Sequence, residues 1–230
     1  DDNSMKVYVG DFQGAAYKLD AALDFQYYYT AQGVFARADS PPAWMAWRLE
    51  ARARALGAHH LLTPNFFDNH DVRRFLNVAR DRPGAGLAER LRRLDQALVF
   101  LFTAPGPPIV YYGTEQDFDG GGDPYNREDL FAGQFESGPS AGDNFDPAAP
   151  RYQLIQRLSA LRTGQAPLRR GSFVVRAADT ERAGRLVFSR VYEGEEVIVI
   201  LNTSTSSVTQ DAFDTTWPEG QALTNALGAG

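Results

Sequence analysis

Residues 68 to 71 read Asp-Asn-His-Asp, a polar cluster whose side chains can do chemistry together. An ionised carboxylate accepts hydrogen bonds, an amide donates and accepts, and an imidazole does either according to its tautomer. Such a set can grip vicinal hydroxyl groups. A carboxylate beside a developing cation also stabilises that charge. Two plainer readings compete. Asp71 could be the N-cap of a following helix. A metal site is the weaker option, because the spacing puts no second histidine within reach.

The cluster needs rigid support, and the flanking pattern supplies candidates. Leu61 to Phe67 reads as a short strand that ends at the cluster. Leu19 to Tyr29, with Ala21-Ala22-Leu23 and Phe25, reads as a strand buried on both faces. Ser40-Pro41-Pro42 opens a helix that runs to about Leu56, with Ser40 as N-cap and proline in the first turn. Trp44 and Trp47 share a face of that helix and are expected in the core. Leu87, Leu91, Leu94, Leu98 and Leu101 repeat at helical spacing. Pro105-Gly106-Pro107-Pro108 ends that helix, and Ile109 to Tyr112 reads as a third strand closed by Gly113. Residues 117–150 are rich in Gly, Asp and Pro and read as a long functional loop. Arg151 to Thr163 reads as a helix.

Strands therefore alternate with helices, and each strand ends in polar residues. That is the rhythm of a parallel α/β barrel or open sheet. Barrel enzymes place their chemistry at the C-terminal ends of the strands, where Asp68 to Asp71 fall. After Gly171 the pattern changes. Phe173-Val174-Val175, Arg185 to Phe188 and Val197 to Leu201 are β-rich runs parted by turns such as Glu193-Gly194. They predict a separate antiparallel sandwich. The expected division is 1–165 for the α/β part and 166–230 for the all-β part. About three strand–helix units fit in 1–165, whereas a parallel barrel has eight. The remaining strands are expected upstream, and the sandwich is expected to be cut short.

The bulk numbers exclude several classes. Of 230 residues, 43% are hydrophobic and 23% charged, which argues against disorder. The formal net charge of -6 comes without a basic stripe, so nucleic acid is not an expected partner. No run of about 18 apolar residues exists, so no transmembrane helix is expected. The chain has no cysteine, which removes disulfides, thiolate metal sites and cysteine nucleophiles. His59-His60 reads as a solvated loop pair. Gly120-Gly121-Gly122 is no phosphate loop, since no Lys-Ser or Lys-Thr follows it.

Two longer motifs carry a family resemblance. Asn65-Phe66-Phe67-Asp68-Asn69-His70-Asp71-Val72-Arg73-Arg74-Phe75 resembles the fourth sequence region of α-amylase-type glycoside hydrolases, of the form Phe-x-x-Asn-His-Asp-x-x-Arg-Phe. Residues 105–130, from Pro-Gly-Pro-Pro through Tyr-Tyr-Gly-Thr-Glu-Gln to Gly-Asp-Pro-Tyr-Asn-Arg, resemble that family's last barrel strand and the loop after it. Leu23-Asp24-Phe25 is similar to its sixth strand. The implied fold is the C-terminal portion of a (β/α)8 (TIM) barrel followed by a small β-sandwich. The implied substrates are α-1,4-linked glucans such as starch, cleaved with retention through a glycosyl–enzyme ester. Asp71 corresponds to the carboxylate that grips the sugar and stabilises the transition state, and His70 to its hydroxyl-binding neighbour. Asp123 and Arg127 fall where many members hold a sugar further from the cleavage point. Glu115 is expected to be structural.

The sequence also departs from the family. Retaining hydrolysis needs a nucleophilic carboxylate and an acid about 5 Å apart. No Arg-x-Asp motif ends a strand in residues 1–64, and the first Glu is Glu50, inside a helix. The chain alone is therefore expected to be inactive. The family's usual calcium ligands also lie upstream, so no metal site or other cofactor is expected in this chain. A glucanotransferase with the same carboxylates, or a non-catalytic carbohydrate-binding relative, remains an alternative. Secretion is expected by resemblance alone, and no membrane partner is expected.

Overall fold

The computed structural model describes residues 8–9, 19–131 and 143–228. The acidic Asp1-Asp2-Asn3 stretch and the middle of the 117–150 loop lie outside them. Within them, helices come first and a sheet last. Helix α1 (Phe25–Ala31) runs on into a π-helical stretch, Gln32–Arg37. Helix α2 spans Ala43–Leu56, α3 Phe75–Val78, α4 Leu87–Thr103, α5 Pro150–Gly164 and α6 Ala166–Arg170. Strands β1 (Ser172–Ala178), β2 (Arg185–Tyr192) and β3 (Glu195–Asn202) form one antiparallel meander in that order.

The strand predicted over Leu19 to Tyr29 is corrected. Only Leu19 makes a bridge, parallel to Val9, and the chain turns helical at Phe25. Asp24 causes the switch: its Oδ1 accepts from the Tyr27 amide at 2.8 Å, an N-cap that the aromatic run concealed. Tyr27, Ala31 and Phe35 then bury one helical face. Tyr27 stacks between Phe67 and Phe100, with ring centroids at 5.9 and 6.0 Å. Such pairs add about 0.5–1.5 kcal/mol each beyond area burial.

The other two predicted strands touch at a single point. The Asn65 amide donates to the Pro107 carbonyl at 2.9 Å, and the Ile109 amide donates to the Asn65 carbonyl at 2.8 Å. These two bonds make a parallel bridge between Asn65 and Pro108. Pro107 and Pro108 have no N–H, so the ladder cannot extend through them. The segments still run parallel, and their C-terminal loops leave from the same side.

Helix α2 begins at Ala43, with Pro42 rather than Ser40 as N-cap. Ser40 Oγ instead donates to Asp39 Oδ1 at 3.1 Å. Trp44 and Trp47 are 48% and 53% exposed, against the expectation of core. The buried face of α2 is set by Met45, Leu49, Arg52 and Leu56. Helix α4 keeps its predicted stripe: Leu94, Ala97, Leu98 and Leu101 are buried, while Leu87 at its first turn is exposed.

A second sheet, needed for a sandwich, is not found among the described residues. The inner face of the meander packs on α4, with Phe188 edge-on to Phe100 at 5.6 Å. Leu186, Phe188, Val199 and Leu201 belong to the same apolar cluster as Leu98 and Leu101. The outer face carries a polar network instead of a second apolar layer. Arg176 donates to Ser189 Oγ and Glu196, and Glu196 also accepts from the Thr216 amide at 2.6 Å. Glu193 and Gly194 both have positive φ, 49° and 84°, as a two-residue hairpin turn requires.

The C-terminal end of α4 explains how these parts are joined. Its last carbonyls have no partner inside the helix. Arg162 from α5 donates to the carbonyls of Phe102, Ala104 and Gly106. Arg190 from β2 donates to Thr103, Leu168 and Gly171, and Arg52 from α2 to Pro105. Cations at a helix C-terminus also oppose its dipole. Gly106 sits at φ 97°, and a Cβ there would lie 2.2 Å from the Thr63 carbonyl.

His59 and His60 lie in a 3-10 turn, Gly57–Leu61, and both are partly buried rather than a solvated pair. Burial, then the charges of Arg52 and Arg190, push the His60 imidazole down to about 4. An unfolded histidine titrates near about 6.5. Between those values the unfolded chain binds the extra proton, so stability falls as the pH drops from about 6.5 towards 4. In urea titrations at pH 7 and pH 4.5, His60→Gln loses less stability on acidification than the parent chain. Equal losses would remove His60 as a source of the acid sensitivity.

Candidate active site

The site grows from the loop after the Asn65 bridge. Asp68 points inward. Its Oδ2 accepts from the Phe75 amide at 3.0 Å, and its Oδ1 from Thr114 Oγ1 at 3.5 Å. Burial pushes its carboxyl up, and the bonds from Phe75 and Thr114 and the Arg74 charge only partly offset this. Asp68 thus anchors the start of α3, and Arg74 is the N-cap, so the reading of Asp71 as helix cap is set aside. Asn69 is buried, and its Oδ1 accepts from the Asp71 amide at 2.8 Å. That Asx turn reverses the chain within two residues. His70 and Asp71 are left outside, with side chains 63% and 59% exposed and Nε2–Oδ2 at 3.3 Å.

The loop after the second bridging segment meets this turn. Asn126 is fully buried, and its Nδ2 donates to the carbonyls of Asn69 at 3.2 Å and Val72 at 2.8 Å. Arg127 Nε donates to the His70 carbonyl at 3.2 Å, and its guanidinium pairs with Asp123 at 3.0 Å. All four residues singled out from the sequence (His70, Asp71, Asp123 and Arg127) are therefore gathered at the same end of the parallel segments. Their side chains remain accessible.

Sequence reasoning assigned no role to the residues that hold the two loops together. Arg74 is fully buried, with its Nε 3.1 Å from Glu128 Oε2. Its guanidinium lies over Tyr111 at 4.0 Å and Tyr112 at 4.8 Å from the ring centroids. The Arg74 amide donates to the Gly120 carbonyl, and the Asp119 amide to Glu128 Oε1. Burial raises the Glu128 carboxyl, against the pull of the Asp119 amide, the Arg74 charge and the Gly120 amide. A Cβ on Gly120 would lie 2.0 Å from the Tyr125 carbonyl and 2.7 Å from Glu128 Oε2. The available signal was Arg74 itself, a cation set directly before Phe75 at the end of the motif.

Other candidates fall elsewhere. Glu115 sits on a 3-10 turn, Thr114–Gln116, and lines a cavity of about 850 Å³ with Val110, Tyr152 and Ile155. Of the three tyrosines that follow Gln26, which could stack on a sugar, Tyr27 and Tyr28 are buried and Tyr29 is 59% exposed. Among the described residues, no group of three or more His, Asp or Glu side chains is placed to hold a metal ion.

A carboxylate, an imidazole and an Arg–Asp pair thus lie together at the C-terminal side of two parallel segments. Comparisons with known proteins identify the family. Residues 3–168 match the family model described as alpha amylase, catalytic domain. The Beta/alpha-amylase of Paenibacillus polymyxa is 36% identical over 226 residues, covering 96% of this chain and 17% of that protein. The cyclomaltodextrin glucanotransferase of Bacillus sp. (strain 1-1) is 32% identical over 155 residues, covering 67% of this chain and 19% of that protein. The crystal structure of an Anoxybacillus α-amylase superposes with a TM-score of 0.69 at 30% identity, covering 82% of this chain and 37% of that one. The chain belongs to the α-amylase family. It spans less than a fifth of the length of those two curated relatives.

Proposed function

We propose that this chain is the part of a retaining α-glucan hydrolase that grips the sugar at the cleavage point, with Asp71 as the transition-state-stabilising carboxylate. The carrying observation is the exposed His70–Asp71 pair, presented by the Asn69 turn and joined by Arg127 to the loop bearing Asp123. His70 and Asp71 take hydroxyls of one glucose unit, and Asp123 and Arg127 take those of a more distant unit. The bonds cleaved are α-1,4 links of starch or maltooligosaccharides. The nucleophile and the acid come from elsewhere in the enzyme, so this chain alone binds glucan without hydrolysing it.

The chain is titrated with maltoheptaose while the His70 imidazole is followed by NMR. A saturable shift is expected, lost in Asp71→Ala, with no reducing ends released on long incubation. A His70 signal indifferent to maltoheptaose would sink the reading. The similarity to a glucanotransferase supports a second reaction at the same site, in which a sugar hydroxyl replaces water. The products of a complete enzyme on maltoheptaose separate the two: short linear sugars for a hydrolase, longer or cyclic ones for a transferase.

A further inference from the structure

We propose that Glu128 is a positioning residue: its buried pairing with Arg74 latches the loop bearing Asp123 and Arg127 onto the loop bearing Asp71, and so sets how strongly longer glucans are preferred. This rests on the reading above, in which the two loops hold different sugar units of one chain.

The geometry is specific to such a latch. Glu128 follows Arg127 directly in the chain, so its placement aims the residue that donates to the His70 carbonyl. One carboxylate binds groups from both loops: Oε2 faces Arg74 Nε at 3.1 Å, and Oε1 takes the Asp119 amide at 3.1 Å. Arg74 in turn donates its backbone amide to the Gly120 carbonyl and stands three residues after Asp71. Tyr112 Oη donates to the Glu128 carbonyl at 2.8 Å, holding the backbone from the other side. The pair is shut away from water, with side chains 0% and 5% exposed, so a change in its charge is felt strongly. Glu128 itself is buried beneath the surface and acts through Arg127 and Asp123.

Maltose spans two sugars and engages only the Asp71 end, whereas maltoheptaose reaches both loops. In calorimetric titrations of the whole chain, Glu128→Gln should bind maltose as the parent does and maltoheptaose about tenfold more weakly. Arg127→Ala should show the same length-dependent loss, and the double variant no further loss. A purely structural Glu128 would lower the unfolding midpoint yet keep the ratio of the two affinities, and that result overturns the proposal. If Glu128→Gln does not fold, Tyr112→Phe removes one hydroxyl at a partly exposed position and must show a smaller loss of the same kind. An unchanged ratio there overturns the proposal equally. A parent chain that binds neither sugar removes the underlying functional reading, which is a different failure.

Discussion

If Asp71 is the proposed transition-state-stabilising carboxylate, replacing it with Asn should lower kcat/KM on maltoheptaose about a hundred- to a thousandfold in an enzyme that contains this chain. The substitution keeps the size and some hydrogen bonding of the side chain and removes only its charge. An oxocarbenium-like transition state carries positive charge that the bound sugar lacks. The loss should therefore fall mainly on kcat, with KM changed little. The side chain is 59% exposed, so the unfolding free energy should stay within about 0.5 kcal/mol of the parent. Steady-state kinetics beside urea denaturation test both halves. A drop of less than about tenfold in kcat/KM would show that Asp71 only binds ground-state hydroxyls, where charge matters less.

Asp24→Ala produces the largest loss of stability, roughly 3–5 kcal/mol in urea denaturation. Asp24 is fully buried and faces two arginines, Arg48 at 2.7 Å and Arg52 at 3.0 Å. Its removal takes away the carboxylate that the Arg48 and Arg52 guanidinium groups share in the interior. It also removes the cap on the Tyr27 amide, worth about 1 kcal/mol by itself. A domain with a total stability of about 5–15 kcal/mol is left marginal by such a change. The control is Asp39→Ala, which breaks the pair with Arg37 at the surface and should cost less than about 1 kcal/mol. Similar losses for the two variants would mean that the buried cluster is solvated and that its geometry carries no special weight.

Helices read well from the sequence because their signals are local. The leucine stripe of α4 and the β runs after Gly171 rest on periodicity over a few turns or residues, and both were found where expected. Leu19 to Tyr29 was misread because its aromatic residues suit a buried strand as well as a helix face. The decisive group was a single capping carboxylate, and Asp24 is also tied to Arg48 and Arg52, 24 and 28 residues away. Trp44 and Trp47 were expected inside, yet burial depends on which helix face meets a neighbour, and Met45 and Leu49 hold that face.

For the site, residue chemistry singled out the Asp68 to Asp71 cluster, and the family resemblance of the two motifs pointed to His70, Asp71, Asp123 and Arg127. Their meeting was not legible. It depends on a parallel contact between Asn65 and Pro108 that brings two loops to one side, and on Asn126, Arg74 and Glu128, which bond across 54 to 57 residues of chain. The sequence by itself determined the residue types of the candidate site, the leucine stripe of α4 and the β runs after Gly171. Tertiary structure alone decided which of those side chains stay exposed and which become buried struts. A buried charge must find its partner wherever the chain returns, and spacing along the chain does not encode that distance in space.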